Sequence, residues 1–262
     1  IAYYVAKISE IIYRQKGNKL VIVSLARAGT PYGILIRKYL KLKYKVDIPH
    51  YSISIIRGKG IDANALKYIL TENKKAEIQF VDGWTGKGSI TKELNKSIDI
   101  FNNENKTNID NSLAVISDPA KLCKVCGTRE DFGIATCCLN STVSGLISRT
   151  IHNEKYIGKD EFHGAKTLYY LKDEDYSQYF IDKIDNEFNK ISIKYEDLVL
   201  ENIDKEYSMK IVSKIRELYD VNNINNIKLS VGESARVLLR RDPRVVLVKN
   251  KSDKNIEHIL KL

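Results

Sequence analysis

The sequence predicts an α/β protein: a domain built on a parallel sheet, followed by a small α/β module. Three observations carry that expectation. Short β-branched runs alternate with helix-length segments through the first half, which is the βαβ pattern of a parallel sheet. Glycine-rich turns fall where strands give way to helices, the place where such sheets bind ligands. Near Tyr195 the pattern restarts as a second module, so the expected domains are 1–194 and 195–262.

The elements follow in order. Ile1 to Tyr13 reads as an apolar helix that starts without a Met, so the chain is expected to be a fragment, with the first domain continuing before position 1 and the second beyond position 262. Strands are expected at Leu20 to Leu25, Tyr51 to Ile56, Ile78 to Val81 and Leu113 to Ile116, runs apolar enough to be covered on both faces. Helices fall between them, at Pro31 to Lys41, Asp62 to Glu72 and Lys87 to Phe101. Thr30 before Pro31 and Asp62 after Gly60 are the expected helix caps. Asn102 to Asn111 is polar and reads as an exposed loop, and Tyr169 to Lys190 as helical and charged. The second module is expected to hold a helix at Tyr207 to Tyr219, a strand at Ile227 to Val231, a helix at Glu233 to Arg240 and a strand at Val245 to Val248.

At 262 residues the chain can bury a full core. Its 43 Lys plus Arg against 33 Asp plus Glu give a formal charge of +10, which favours polyanionic partners such as nucleotides or RNA. No run of about 18 apolar residues is present, so no membrane span is expected and the cytoplasm is the expected location. The four cysteines, Cys123, Cys126, Cys137 and Cys138, crowd into one stretch, a poor distribution for stapling a secreted fold; reduced thiols are expected.

VDGWTGKGS, residues 81 to 89, reads as a strand that ends on Asp82 and a loop that opens a helix near Lys87. Glycines at 83, 86 and 88 would let backbone N–H groups approach a phosphate, so Thr85, Gly86, Lys87, Gly88 and Ser89 are the expected phosphate cradle. A nucleoside-triphosphate P-loop is excluded, because Val81 stands where the first glycine is needed and Gly88 where Ser or Thr would hold magnesium. Asp82 is placed to accept bonds from ribose hydroxyls and to favour positive charge developing on the sugar. In SLARAGTPYG, Arg27, Ala28, Gly29 and Thr30 are suited to pyrophosphate. In IIRGKGID, Arg57 and Lys59 lie on a glycine-rich loop able to close over a charged substrate. Asp118 in ISDPA ends the fourth strand on the same edge, as a candidate for binding the acceptor or a magnesium ion, with Arg129, Glu130 and Asp131 of GTREDF nearby.

VSLARAGTP, HYSISIIRGKGID, FVDGWTGKGSI, GTREDF, CLNSTVSGLISRT and FHGAK resemble the phosphoribosyltransferase-like domain of the StiP family, which is found with tellurite- and stress-resistance operons. The resemblance spans about residues 1–180 and implies a Rossmann-like sheet. It also implies a transferase that uses 5-phosphoribosyl 1-pyrophosphate and Mg2+ to make a ribonucleoside with an unknown acceptor. Asp82, Arg27 and Lys59 would then be the catalytic residues. The same family carries the label cysteine protease StiP, which makes a cysteine hydrolase using Cys138 and His163 the alternative. Cys123 and Cys126 have the spacing of half a zinc site, but Cys137 and Cys138 are adjacent, so no metal held by the cysteines is expected.

From Lys228 onward there are nine Lys plus Arg against four Asp plus Glu. Arg236, Arg240 and Arg241 are spaced to share one side of the helix after Gly232, a suitable grip for a phosphate backbone. LSVGESARVLLRRDPRVVLV is similar to the Pelota-type RNA-binding domain, and the resemblance spans about 195–262. It implies RNA as a partner, held by backbone and shape because aromatic residues for stacking are absent from Lys228 onward. A third reading therefore stands beside the other two, a non-catalytic regulator that binds nucleotides and RNA.

Overall fold

The structure is a computed structural model that describes residues 1–261. A six-stranded sheet forms its centre, in the order β3-β2-β1-β4-β5-β6. The strands are β1 (Leu20–Ala26), β2 (His50–Ile56), β3 (Gly60–Ile61), β4 (Glu77–Trp84), β5 (Leu113–Ser117) and β6 (Val125–Thr128). Every pairing is parallel except the short β2–β3 hairpin.

Because successive strand residues point to opposite faces, one apolar run feeds two cores. In β1, Ile22 packs with α1 (Ala2–Lys16) and α2 (Thr30–Tyr44), while Val21, Val23 and Leu25 pack with α3 (Ala63–Glu72) and α4 (Ser89–Asn105). The Asp62 carboxylate caps α3 by accepting from the Ala65 N–H at 3.0 Å. Thr30 does not cap α2. Gly29 takes that position, and the Thr30 hydroxyl meets the Ser52 hydroxyl at 2.5 Å.

Two expected boundaries move. β4 runs through Asp82 to Trp84, because Trp84 still pairs with Ser117 of β5; α4 then starts at Ser89, two residues later than expected. α4 also continues into the expected Asn-rich loop, to Asn105.

Beyond β6 come the short helices α5 (Ala135–Cys138) and α6 (Asn140–Val143), then α7 (Ser177–Asp185), which returns to the first core. The C-terminal region holds α8 (Tyr207–Leu218), α9 (Val231–Leu238) and α10 (Glu257–Lys261). Neither strand expected there forms. Ile227 to Ser230 leads directly into α9, and Val245 to Val248 finds no neighbouring edge to bond. A small core of Val231, Ala235, Ile256 and Ile259 holds this region together, with Cys138 of α5 packed against it. Among the described residues, no helix is long and apolar enough to cross a membrane.

Candidate functional site

The loops after the parallel strands converge on one edge of the sheet. The expected phosphate cradle lies there, and two of its residues, Thr85 and Lys87, bond within the protein. The Thr85 N–H donates to the Ser117 carbonyl at 3.1 Å, and its hydroxyl to Asp118. Lys87 Nζ donates to the carbonyls of Ile224 at 2.8 Å and Ile227 at 3.0 Å. The glycines answer to packing: a Cβ on Gly83 would lie 2.8 Å from the Tyr32 ring, and one on Gly86 2.9 Å from the Trp84 ring. Gly88, at φ 79°, would place a Cβ 2.6 Å from Leu122.

The turn after β1 is occupied in the same way. The Arg27 guanidinium donates to the Ile147 carbonyl, the Gly29 N–H to Leu25 at 2.9 Å and the Thr30 N–H to Arg27 at 3.1 Å. A Cβ on Gly29 would sit 2.5 Å from the Val81 carbonyl, so this glycine lets the turn lie against β4. Ala28 is partly covered, and Ser89 opens α4. Lys59 and Arg57 are exposed in the β2–β3 turn, where Lys59 Nζ donates to the His152 carbonyl at 3.3 Å.

Asp82 accepts the Gly83 N–H at 2.7 Å, and burial pushes its carboxyl up to about 7. Asp118 is fully buried and its oxygens are committed: they accept from the Thr85 hydroxyl, the N–H groups of Leu122 (3.1 Å) and Cys123 (2.7 Å), and Arg129. Arg129 also reaches the Asn202 carbonyl at 2.7 Å. With four donors on two oxygens, Asp118 is a hub for the loop between β5 and β6 rather than an open ligand.

Cysteines form the remaining feature of this edge. Cys123 and Cys126 are buried in the second core, and burial raises both thiols, Cys126 to about 11. Cys137 is buried beneath α9, where a Cβ on Gly232 would lie 2.7 Å from its sulfur; Gly232 therefore lets α9 pack closely on the thiol. Cys138 is partly exposed and contacts the Gly232 carbonyl with its sulfur at 3.6 Å. A hydrogen bond from the Cys137 thiol holds Cys138 down at about 7, aided by the Arg236 guanidinium, and raises Cys137 itself.

His163 stands elsewhere on the edge, over β2. Its Nδ1 lies 2.5 Å from the Ser54 hydroxyl, its backbone N–H donates to Asp62 at 2.7 Å, and its ring meets His152 edge-on at 4.1 Å. Burial lowers its pKa. Among the described residues, no hydrogen bond joins Cys138 to a histidine. The three arginines do not share a helix face either. Arg236 pairs with Glu233, α9 ends at Leu238, and Arg240 and Arg241 are exposed in the turn after it, both N–H groups donating to Val237. The Cys137–Gly232 contact and the Tyr32–Thr136 hydroxyl pair (3.3 Å) beneath Gly83 gave no local signal in the sequence, because each joins distant segments.

A family model described as tellurite-like stress resistance cysteine protease StiP matches residues 1–185, and the PELOTA RNA binding domain model matches 206–262. A curated relative named cysteine protease StiP, from Acinetobacter baylyi, is 34% identical over 266 residues, covering 97% of this chain and 69% of the relative. These findings overturn the expected phosphoribosyltransferase with its sugar pyrophosphate and magnesium: family and relative are both named for a cysteine protease. Together they establish that the chain belongs to the StiP family and ends in a segment matching the Pelota RNA-binding domain.

Proposed function

We propose that the chain is a cysteine hydrolase of the protease class, with Cys138 as nucleophile and an RNA-binding C-terminal module. One observation carries the nucleophile. Of the four cysteines, Cys138 alone combines exposure with a lowered pKa, whereas the other three are buried and raised. A thiol poised near neutral pH, with a substantial thiolate fraction, has less need of a base. Its sulfur attacks the peptide carbonyl carbon, the C–N bond breaks, and the leaving amine takes up the proton the thiol gave up. Water then hydrolyses the thioester and restores the thiol. In the arrangement described, His163 is engaged by Ser54 and serves this reading only if the loop carrying it moves.

The strand order, which reverses between β1 and β4, supports a Rossmann-like reading of the sheet. The small core built around α9 and α10, onto which Cys138 packs, supports modules at 1–194 and 195–262. RNA binding rests on the Pelota match and on the exposed Arg240 and Arg241.

Iodoacetamide labelling and hydrolysis of a denatured protein test the hydrolase. Cys138 is expected to label first, and Cys138→Ala to abolish hydrolysis that Cys126→Ala retains. Full hydrolysis by Cys138→Ala would remove Cys138 from the reaction.

A further inference from the structure

Between α4 and the C-terminal module lies a cleft of about 330 Å³. One wall is cationic: Lys87, Lys92 and Lys96 on or just before α4, and Arg57 from the β2–β3 turn. Lys92 and Lys96 are one helical turn apart and so share a face. The facing wall is Met209, Ile224 and Asn225, from the segment that matches the Pelota model.

The charge in this cleft is only partly compensated. Its one acid, Glu93, already accepts the Gly58 N–H at 2.7 Å. Among the described residues, no carboxylate pairs with Arg57, Lys87, Lys92 or Lys96; the Lys87 ammonium is held by two carbonyls instead. Burial lowers the Lys87 pKa, and Lys228 and Arg57 lower it further against the pull of Glu233, so positive groups approach this ammonium from both modules. A cleft that sets four cations against one carboxylate favours an anion with several charges, because binding one relieves the excess repulsion.

We propose that this cleft is a phosphodiester-binding site which extends the RNA surface of the C-terminal module onto the first domain, with Arg57, Lys92 and Lys96 contacting backbone phosphates. RNA is favoured over other anions because one wall belongs to the RNA-binding segment. The proposal rests on the RNA-binding reading above. Residues that contact phosphates set the salt dependence of binding and leave sequence preference alone, which gives the site a distinct signature.

The test uses the full chain and two labelled RNAs, a single-stranded oligouridine and a duplex of about 16 base pairs, titrated between about 50 and 200 mM salt. Arg57→Gln/Lys92→Gln/Lys96→Gln is compared with Lys41→Gln/Lys43→Gln/Lys45→Gln, which removes the same charge from the exposed far end of α2. The cleft variant is expected to bind at least about tenfold more weakly and to lower the salt slope by about 2, while the control stays near wild type. Equal losses in both variants, or none in the cleft variant, overturn the cleft site. Retained RNA binding that Arg240→Ala/Arg241→Ala weakens would then leave the RNA reading intact. Failure of the wild type to bind either RNA removes that reading and the cleft proposal with it. Binding of AMP but of neither RNA would assign the cleft to a small phosphate and also overturn the proposal.

Discussion

The two cysteine pairs lie in one short stretch of sequence, and the chemistry of each is set by what covers it. Cys123 and Cys126 fall within the apolar core between the sheet and α4, where burial raises both thiols and Asp118 raises them further against the pull of Arg129. Cys137 and Cys138 sit at the rim under α9, where one thiol is buried and raised, and the other is partly exposed and lowered by its buried neighbour. Each pair has an arginine–carboxylate pair beside it, Arg129 with Asp118 and Arg236 with Glu233. The difference is therefore not the presence of a cation but desolvation and a donor thiol. Of the two sequence spacings, the CxxC that suggests a functional site is the inert one.

The largest expected effect comes from Asp118→Ala. It leaves the Arg129 guanidinium, the Thr85 hydroxyl and two N–H groups without their acceptor, so unfolding free energy should fall by about 3–5 kcal/mol. Urea unfolding measures this, and iodoacetamide should then reach Cys123 and Cys126. A loss within about 1 kcal/mol, with Cys123 still unlabelled, would show that the core and not the hub seals the first pair.

Asp82 gives the next effect, and its charge also opposes a thiolate at Cys123. Its folded pKa of about 7 lies above the ordinary value of 3.8. Between those values the folded state holds a proton that the unfolded state has lost, so the contribution of this group is full below about 4 and is lost as pH rises through about 7. Asp82→Asn should therefore match wild type near pH 4 and exceed it by about 2–4 kcal/mol near pH 8. Equal pH slopes in the two proteins would mean that the Asp82 carboxyl is well solvated.

The sheet was legible in the sequence because runs such as Leu20 to Leu25 must be covered on both faces, and a run needs no knowledge of its neighbours to announce that. Asp62 was legible as a cap for the same reason, its partner Ala65 lying within one turn. The packing demands on Gly83, Gly86 and Gly88 were not legible, because Tyr32, Trp84 and Leu122 meet them only in three dimensions. Ile227 to Val231 and Val245 to Val248 carry a strand's composition, but composition does not supply the edge a strand needs. Cys138 was named from its motif, whereas the donor thiol that distinguishes it from Cys123 depends on a fold that buries Cys137 against Gly232.

Gly232→Ala attacks that cover directly. The added methyl would lie 2.7 Å from the Cys137 sulfur and 2.9 Å from its Cβ, so α9 must shift outward, at about 1–3 kcal/mol. Thermal unfolding reads the cost. Labelling of Cys138 should rise as the contact with the Gly232 carbonyl opens, and labelling of Cys126 should stay where it was.

Cys137→Ala should have the smallest energetic effect and sharpens the comparison most. It removes the thiol whose hydrogen bond is the main cause of the lowered pKa at Cys138, so the midpoint of Cys138 alkylation should rise from about 7 toward the ordinary thiol value of 9.0. A rise of one unit lowers the thiolate fraction at pH 7 severalfold, and two units by well over tenfold, so alkylation at pH 7 should slow by about tenfold. An unchanged midpoint would transfer the effect to the Arg236 guanidinium, and Arg236→Gln would then have to produce the same slowing.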